Sequence, residues 1–294
     1  MASKSEMLDL TYLKDKRTEV DRLLDLYLPP VSKYPYRLHE AMRYSVLAGG
    51  KRIRPILALT AYEACGGNNP AIIGPASCAL EIVHTYSLIH DDLPCMDDDD
   101  LRRGRPTLHK KFDEATAVLA GDALHVLSFK LMAQSGSIKV VHELADAIGT
   151  GGMLGGQMAD VEAEGKENTI DQIRFIHSHK TGALLRGSAR IGAILANCDD
   201  SELARITDYG EKIGLAFQII DDVLDVEGEQ DKLGKKVGSD SRNQKATYPA
   251  VVGIERARKE AHQLLADAID ISQSLNGNGE RFVLIAKFIG QRDS

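Results

Sequence analysis

An all-α fold follows from three observations on the 294-residue sequence. Apolar residues recur at helical spacing along almost the whole chain. Period-two alternation with β-branched residues is nowhere sustained, and no low-complexity linker or solenoid-length repeat interrupts the pattern. With 43% hydrophobic residues the chain can bury a substantial core, and a single domain over 1–294, built as a large central helical bundle, is expected.

Taken in order, Leu10, Leu13, Arg17, Val20, Leu23, Leu24 and Leu28 form an amphipathic first helix that Pro29-Pro30 stops. A second helix runs from about Arg37 to Ala48 and ends on Gly49-Gly50. A third starts near Arg54-Pro55, where proline suits a first helical turn, and closes at Gly66-Gly67-Asn68-Asn69-Pro70. The next, from about Pro75 to Leu93, is terminated by Pro94. Further helices are expected over Asp113 to Gln134, Ile138 to Ile148, Met153 to Val161, Ile170 to Asn197, Ser201 to Val226, Pro249 to Leu275 and Phe282 to Ile289.

Composition removes several classes of function. A net charge of −7 and a pI near 5.7 argue against nucleic acid or an anionic membrane surface as partner, so any bound phosphate must be met by local Lys and Arg. Cys65, Cys78, Cys95 and Cys198 form no C-x-x-C pair, which indicates neither a zinc site nor a disulfide framework. The N-terminus lacks an apolar h-region, and no uninterrupted apolar run approaches membrane-spanning length, so a cytoplasmic location without stable membrane insertion is expected.

Two acidic clusters carry the chemistry. From Asp91-Asp92-Leu93-Pro94-Cys95-Met96 to Asp97-Asp98-Asp99-Asp100, six carboxylates fall within ten residues. They repel one another unless cations or water separate them. The preceding run from Leu80 to His90 is largely apolar, so Asp91 and Asp92 arrive on the end of a buried helix. Arg102 and Arg103 follow at once. Hard oxygen ligands beside arginines suggest Mg²⁺ with a phosphorylated ligand. In the second cluster, Asp221 and Asp225 share one helix face and Asp222 lies about 100° round from Asp221. Lys232, Lys235, Lys236 and Lys245 follow it. One such run is often mere surface; two, each at the C-terminal end of an apolar helix and each before a basic loop, suggest a multi-metal mouth around a diphosphate.

With these residues on the page, the chain resembles the trans-prenyltransferases, the short-chain isoprenyl diphosphate synthases, and most closely the farnesyl diphosphate synthases of the bacterial type. Gly49 through Pro55 resembles the isopentenyl-diphosphate-binding segment. His84 and the stretch from His90 to Pro106 resemble the first aspartate-rich motif, with four residues between Asp92 and Asp97. Lys180-Thr181-Gly182-Ala183-Leu184 resembles the Lys-Thr segment, and Phe217 to Asp225 the second aspartate-rich motif. Lys235 with Lys245 to Pro249 resembles the loop after it.

The resemblance implies a prenyl-synthase helical bundle around a central cavity, Mg²⁺ as cofactor with three ions per site, and a homodimer. Its implied ligands are isopentenyl diphosphate and the allylic diphosphates. Asp91, Asp92, Asp97, Asp221 and Asp225 would hold metal on the allylic diphosphate. Arg102, Lys180 and Lys235 would neutralise that diphosphate. Lys51, Arg54, His84 and Arg103 would bind isopentenyl diphosphate, and Thr181 and Gln218 would line the reacting centre. Arg52 has the weakest claim of its segment; His90, His177 and His179 are read as structural. Gly149 to Gly156 is read as close helix packing, since no strand precedes it for a dinucleotide fingerprint.

Chain length is expected to depend on bulk below Asp91. Ser87 and Tyr86 sit about 6 and 7.5 Å down the helix. A tyrosine at that level resembles farnesyl synthases and implies a C15 product, with geranylgeranyl diphosphate as the alternative. A terpene cyclase would carry a different second metal motif, and a non-catalytic prenyl-synthase subunit would be expected to lose one aspartate cluster. A calcium module would need a loop spacing that is absent.

Overall fold

Why the chain becomes helical is clearest at its helix starts. In the computed structural model, which describes residues 4–227 and 247–291 with side chains from Thr11 onward, Asn69 accepts a hydrogen bond from Ala71 N at 3.0 Å and Pro70 occupies the first helical position. That cap begins α4 (Pro70–Asp91) five residues before the sequence reading placed it. The earlier helices are α1 (Lys4–Tyr27), α2 (Tyr36–Val46) and α3 (Ile53–Ala64). After α4 come a small hairpin that the sequence did not predict, β1 (Leu101–Arg102) against β2 (Arg105–Pro106), and the short α5 (Leu108–Lys111). Asp113 then caps α6 (Glu114–Gln134) by accepting from Thr116 N at 2.7 Å.

The rest is α7 (Ile138–Ile148), α8 (Met153–Ala163), α9 (Ile170–Ile176), a π-helical turn (His177–Gly182), α10 (Ala183–Leu195) and α11 (Asp200–Glu227). It ends with α12 (Tyr248–Val252), α13 (Ile254–Gln273) and α14 (Gly279–Gly290). Two expected long helices are therefore divided. The first is broken by the π turn; the second breaks at Gly253, whose φ of +84° lies outside the helical region.

The chain forms two compact units, one from Met1–Ile56 and Asn69–Ile138, the other from Leu57–Asn68 and Lys139–Ser294. In the first, Leu13, Val20, Leu24 and Leu28 of α1 are buried as the helical stripe predicts, each worth about 1.5–3 kcal/mol over exposure. The helix α4 is buried from Ile73 to Val83 and packs on α6, while His84, Ser87 and Leu88 are half-buried on the face that leads to Asp91. In the second unit α11 packs between α10 and α13, and its buried Tyr209 donates to the Phe282 carbonyl at 2.7 Å.

Against the sequence reading, α4 and α6 each have the length and apolar content of a membrane-crossing helix. In α4 this apolar content is spent on the core, with 78% of the stretch buried. In α6 much of it stays outside: Leu119 and Val126, seven residues apart on one face, are 59% and 70% exposed.

Candidate active site

In the first unit, a glycine turn and the hairpin converge on α4. Gly49 and Gly50 have φ of +86° and +140°. They let the chain turn so that Arg52 points inward while Lys51 is exposed and Arg54 half-buried. Arg52 is buried and donates to Asp21 Oδ1 at 2.8 Å, Glu81 Oε1 at 2.7 Å and the Val46 carbonyl at 2.8 Å. Its weak claim to a ligand is explained: it is a structural cation.

Arg103, at the hairpin turn with φ of 53°, donates to the Gly49 carbonyl. Its guanidinium lies so close over Gly50 that a Cβ there would sit 2.8 Å from Arg103 Cζ. His84 completes the group. Its surroundings take the ring out of water, and Arg54, Arg103, Arg102 and Arg52 in that order add repulsion, so its pKa lies well below the ordinary histidine value. A neutral imidazole beside guanidiniums is compatible with a bound anion such as a diphosphate.

At the end of α4 the chain folds back on itself. Asp97 N donates to the Asp91 carbonyl at 2.8 Å and Asp98, with φ of 48°, bonds from its N to the Leu93 carbonyl at 3.1 Å. This turn returns Asp97 to the helix end that carries Asp91, both half-buried.

Asp92, also in the predicted ligand set, is held differently. It is buried, and its Oδ1 accepts from Arg102 Nε at 2.8 Å and Nη2 at 2.5 Å. Burial pushes its carboxyl up to about 6 while Arg102 opposes the rise. Asp92 thus holds Arg102, and Arg102 is also held by Asp99 at 3.1 Å. Asp98 and Asp100 face Lys110 at 3.8 and 3.1 Å.

Among the described residues no group of three or more metal-type side chains is preassembled. Mg²⁺ takes one or two carboxylates and completes its shell with water and phosphate oxygens. The donor chemistry of Asp91 and Asp97, and of Asp221 and Asp225, is hard oxygen throughout and fits that ion.

Tyr86 is buried, and its ring stacks on His125 of α6 at 4.6 Å, with an edge contact to His90 at 5.5 Å. Burial pushes its phenol up to about 12. The Ser87 hydroxyl donates to the His84 carbonyl at 2.9 Å. A cavity of about 40 Å³ against α4 is lined by Thr85, Leu88, Asp92, Arg102, Arg103 and Leu108 among others.

The second unit holds a separate polar cluster around the π turn. Such a turn marks many functional sites because it offsets side chains from helical register. Here it carries Lys180 and Thr181. A Cβ at Gly156 would lie 2.1 Å from Lys180 N, so the glycine run does serve close packing, as its sequence suggested. That contact sets Lys180 Nζ 2.5 Å from Asp160 Oδ2.

The Thr181 hydroxyl donates to Gln218 Oε1 at 2.8 Å, and Gln218 Nε2 donates to Asp222 Oδ1 at 3.1 Å. Asp221 and Asp225 are half-buried and one turn apart on α11, whereas Asp222 is buried. Lys235, with Lys232, Lys236 and Lys245, lies outside the described residues. Sequence reasoning missed the holding roles of Asp160, Asp222 and His125. Asp160 was the most findable, as an acid on the short helix beside the glycine cluster.

The polyprenyl synthetase family model matches residues 35–280. The chain is 46% identical over 273 residues to the heterodimeric geranylgeranyl pyrophosphate synthase large subunit 1, chloroplastic, of Arabidopsis thaliana, covering 89% of this chain and 73% of that one. It is 42% identical over 290 residues to the farnesyl diphosphate synthase of Geobacillus stearothermophilus, covering 96% and 97%. The geranyltransferase of Helicobacter pylori, solved with magnesium and isoprenyl diphosphate, superposes with a TM-score of 0.80 at 32% identity, over 98% of this chain and 97% of that one. The helices, the two aspartate segments and the anion-seeking arginines therefore have one common source: this all-α chain is a member of the polyprenyl synthetase family.

Proposed function

We propose that this trans-prenyl diphosphate synthase condenses dimethylallyl and geranyl diphosphates with isopentenyl diphosphate to give (E,E)-farnesyl diphosphate. The carrying observation is that Arg103, bonded to the Gly49 carbonyl, and Arg102, held by Asp92 and Asp99, follow the turn that returns Asp97 to the helix end bearing Asp91. The family match runs through both units, which supports reading 1–294 as one catalytic domain.

In the proposed mechanism Lys51, Arg54, His84 and Arg103 bind isopentenyl diphosphate. Arg102, Lys180 and Lys235 take the allylic diphosphate, and Asp91, Asp97, Asp221 and Asp225 would hold Mg²⁺. When bound, Mg²⁺ supplies Lewis-acid stabilisation of the leaving diphosphate. Asp92 keeps Arg102 aimed, and Asp160 keeps Lys180 extended. The allylic C–O bond breaks as negative charge collects on diphosphate oxygens already facing fixed cations. The isopentenyl double bond attacks the allylic cation, and a proton leaves to the departing diphosphate. Thr181 and Gln218 present oxygens at the reacting centre, and water is excluded so that the cation is not quenched to an alcohol.

Product length rests on Tyr86. Held by His125 and His90, its ring is proposed as the floor of the chain-binding space, with Ser87 above it. Incubation with Mg²⁺, isopentenyl diphosphate and geranyl diphosphate should give mainly C15, and Tyr86→Ala should shift the product toward C20. Mainly C20 from the unaltered enzyme would establish the geranylgeranyl reading, which the Arabidopsis relative's name favours. An unchanged C15 profile in Tyr86→Ala would remove the ring from this role.

A homodimer in the cytoplasm is the proposed state. Its support is the apolar stripe of α6, where Leu119 and Val126 are exposed, more than a lone surface helix ordinarily leaves uncovered. Light scattering should report a dimer, and Val126→Glu should shift it to monomer. A monomeric parent chain would refute the proposed surface.

A further inference from the structure

We infer that His177 is a positioning residue for the Thr181–Gln218 pair, acting through Asp222; this rests on the reading that Thr181 and Gln218 line the reacting centre. The sequence marked His177 only as structural. In the structure it opens the π turn, is 4% exposed, and its Nε2 lies 3.2 Å from Asp222 Oδ2. The same oxygen accepts from Tyr248 N at 2.7 Å. The other oxygen, Oδ1, accepts from Gln218 Nε2.

This division of donors sets the direction of the whole chain of bonds. With Oδ2 occupied by His177 and Tyr248, Oδ1 is turned to Gln218 and can only accept. The amide must therefore present its NH₂ end to Asp222 and its Oε1 to Thr181. Thr181 must in turn donate its single proton to Gln218, which leaves only lone pairs on Oγ1 for the reacting centre. A hydroxyl fixed in that sense stabilises positive charge developing on an allylic carbon without supplying a proton to it.

The ring itself says which atom matters. His177 stacks on Tyr248 with centroids 5.8 Å apart, a contact that phenylalanine would also make. Its Nδ1 is buried with no hydrogen-bond partner among the described residues. A buried orphan nitrogen is unfavourable, so packing alone would be better served by an apolar ring. What histidine adds is the N–H at Nε2.

The test compares three variants. His177→Phe keeps the stack and removes the donor. His177→Gln places an amide N–H near the position of Nε2, whereas His177→Asn is too short to reach it. Positioning predicts that kcat falls about tenfold or more in Phe and Asn, recovers to within about threefold in Gln, and that both KM values stay within about twofold. A purely structural role instead predicts that activity follows melting temperature, with Phe the best of the three. If Phe proves unstable, the Gln and Asn pair decides: equal activities overturn the inference, as does a Phe variant with parental kcat. Thr181→Val and Gln218→Leu measured alongside separate the two layers. Normal kcat in both removes the reading of the reacting centre; reduced kcat there with parental kcat in His177→Phe removes only the role of His177.

Discussion

Asp91→Ala and Asp221→Ala are each expected to lower kcat by about a thousandfold, because each loses a hard oxygen donor whose contribution to stabilising the leaving diphosphate is several kcal/mol. The fold should survive both changes. Asp91 ends α4 and Asp221 lies in the last two turns of α11, where the helix dipole already disfavours negative charge. Removing either carboxylate relieves repulsion, so melting temperature should hold or rise. Excess Mg²⁺ should restore part of the lost rate if a ligand has been removed. Asp98→Ala is the control: Asp98 is exposed and faces Lys110, and its loss should change kcat by no more than about threefold, as for other surface ion pairs. Turnover near the parental value in Asp91→Ala or Asp221→Ala would be incompatible with a two-cluster metal site.

Arg52→Ala is expected to cost about 3–5 kcal/mol of stability, the penalty for leaving a buried charge without its partner. Glu81 is the charge left behind: both ends of the pair are almost fully buried, at 2.7 Å. Asp21 and the Val46 carbonyl lose their donors as well. Replacing both Arg52 and Glu81 by leucine should recover most of the loss, because the cost comes from the orphaned carboxylate more than from the missing attraction. Urea unfolding of the two variants measures this. An Arg52→Ala midpoint unchanged from the parent would show that the pair contributes nothing. Lys51→Ala should act oppositely, leaving stability within about 0.5 kcal/mol as exposed positions do while weakening the isopentenyl diphosphate KM.

The two changes illustrate a general division in this protein. Lys51 and Arg52 are adjacent cations after the same glycine pair, and the sequence ranks Arg52 lower without showing where either points. What separates them is the positive φ at Arg52 and a carboxylate waiting 29 residues further on. Asp91 and Asp92 are likewise adjacent. One stays at the helix end, and the other is claimed by Arg102 ten residues later.

The sequence by itself determined the all-α class, most helix boundaries to within a few residues, and both aspartate clusters, because these depend on local periodicity, capping residues and charge spacing along one helix. It also marked the cations proposed to bind diphosphate, since a phosphate site must collect Lys and Arg close to its turns. Only the tertiary structure decided which member of each charged pair turns inward and that the helix across 177–182 opens into a π turn. The same holds for Asp160 gripping Lys180, Tyr86 stacking on His125, and His177 reaching Gln218 through Asp222. Those outcomes depend on partners from different helices, and burial fixes such pairs by removing the water that would otherwise satisfy each group alone.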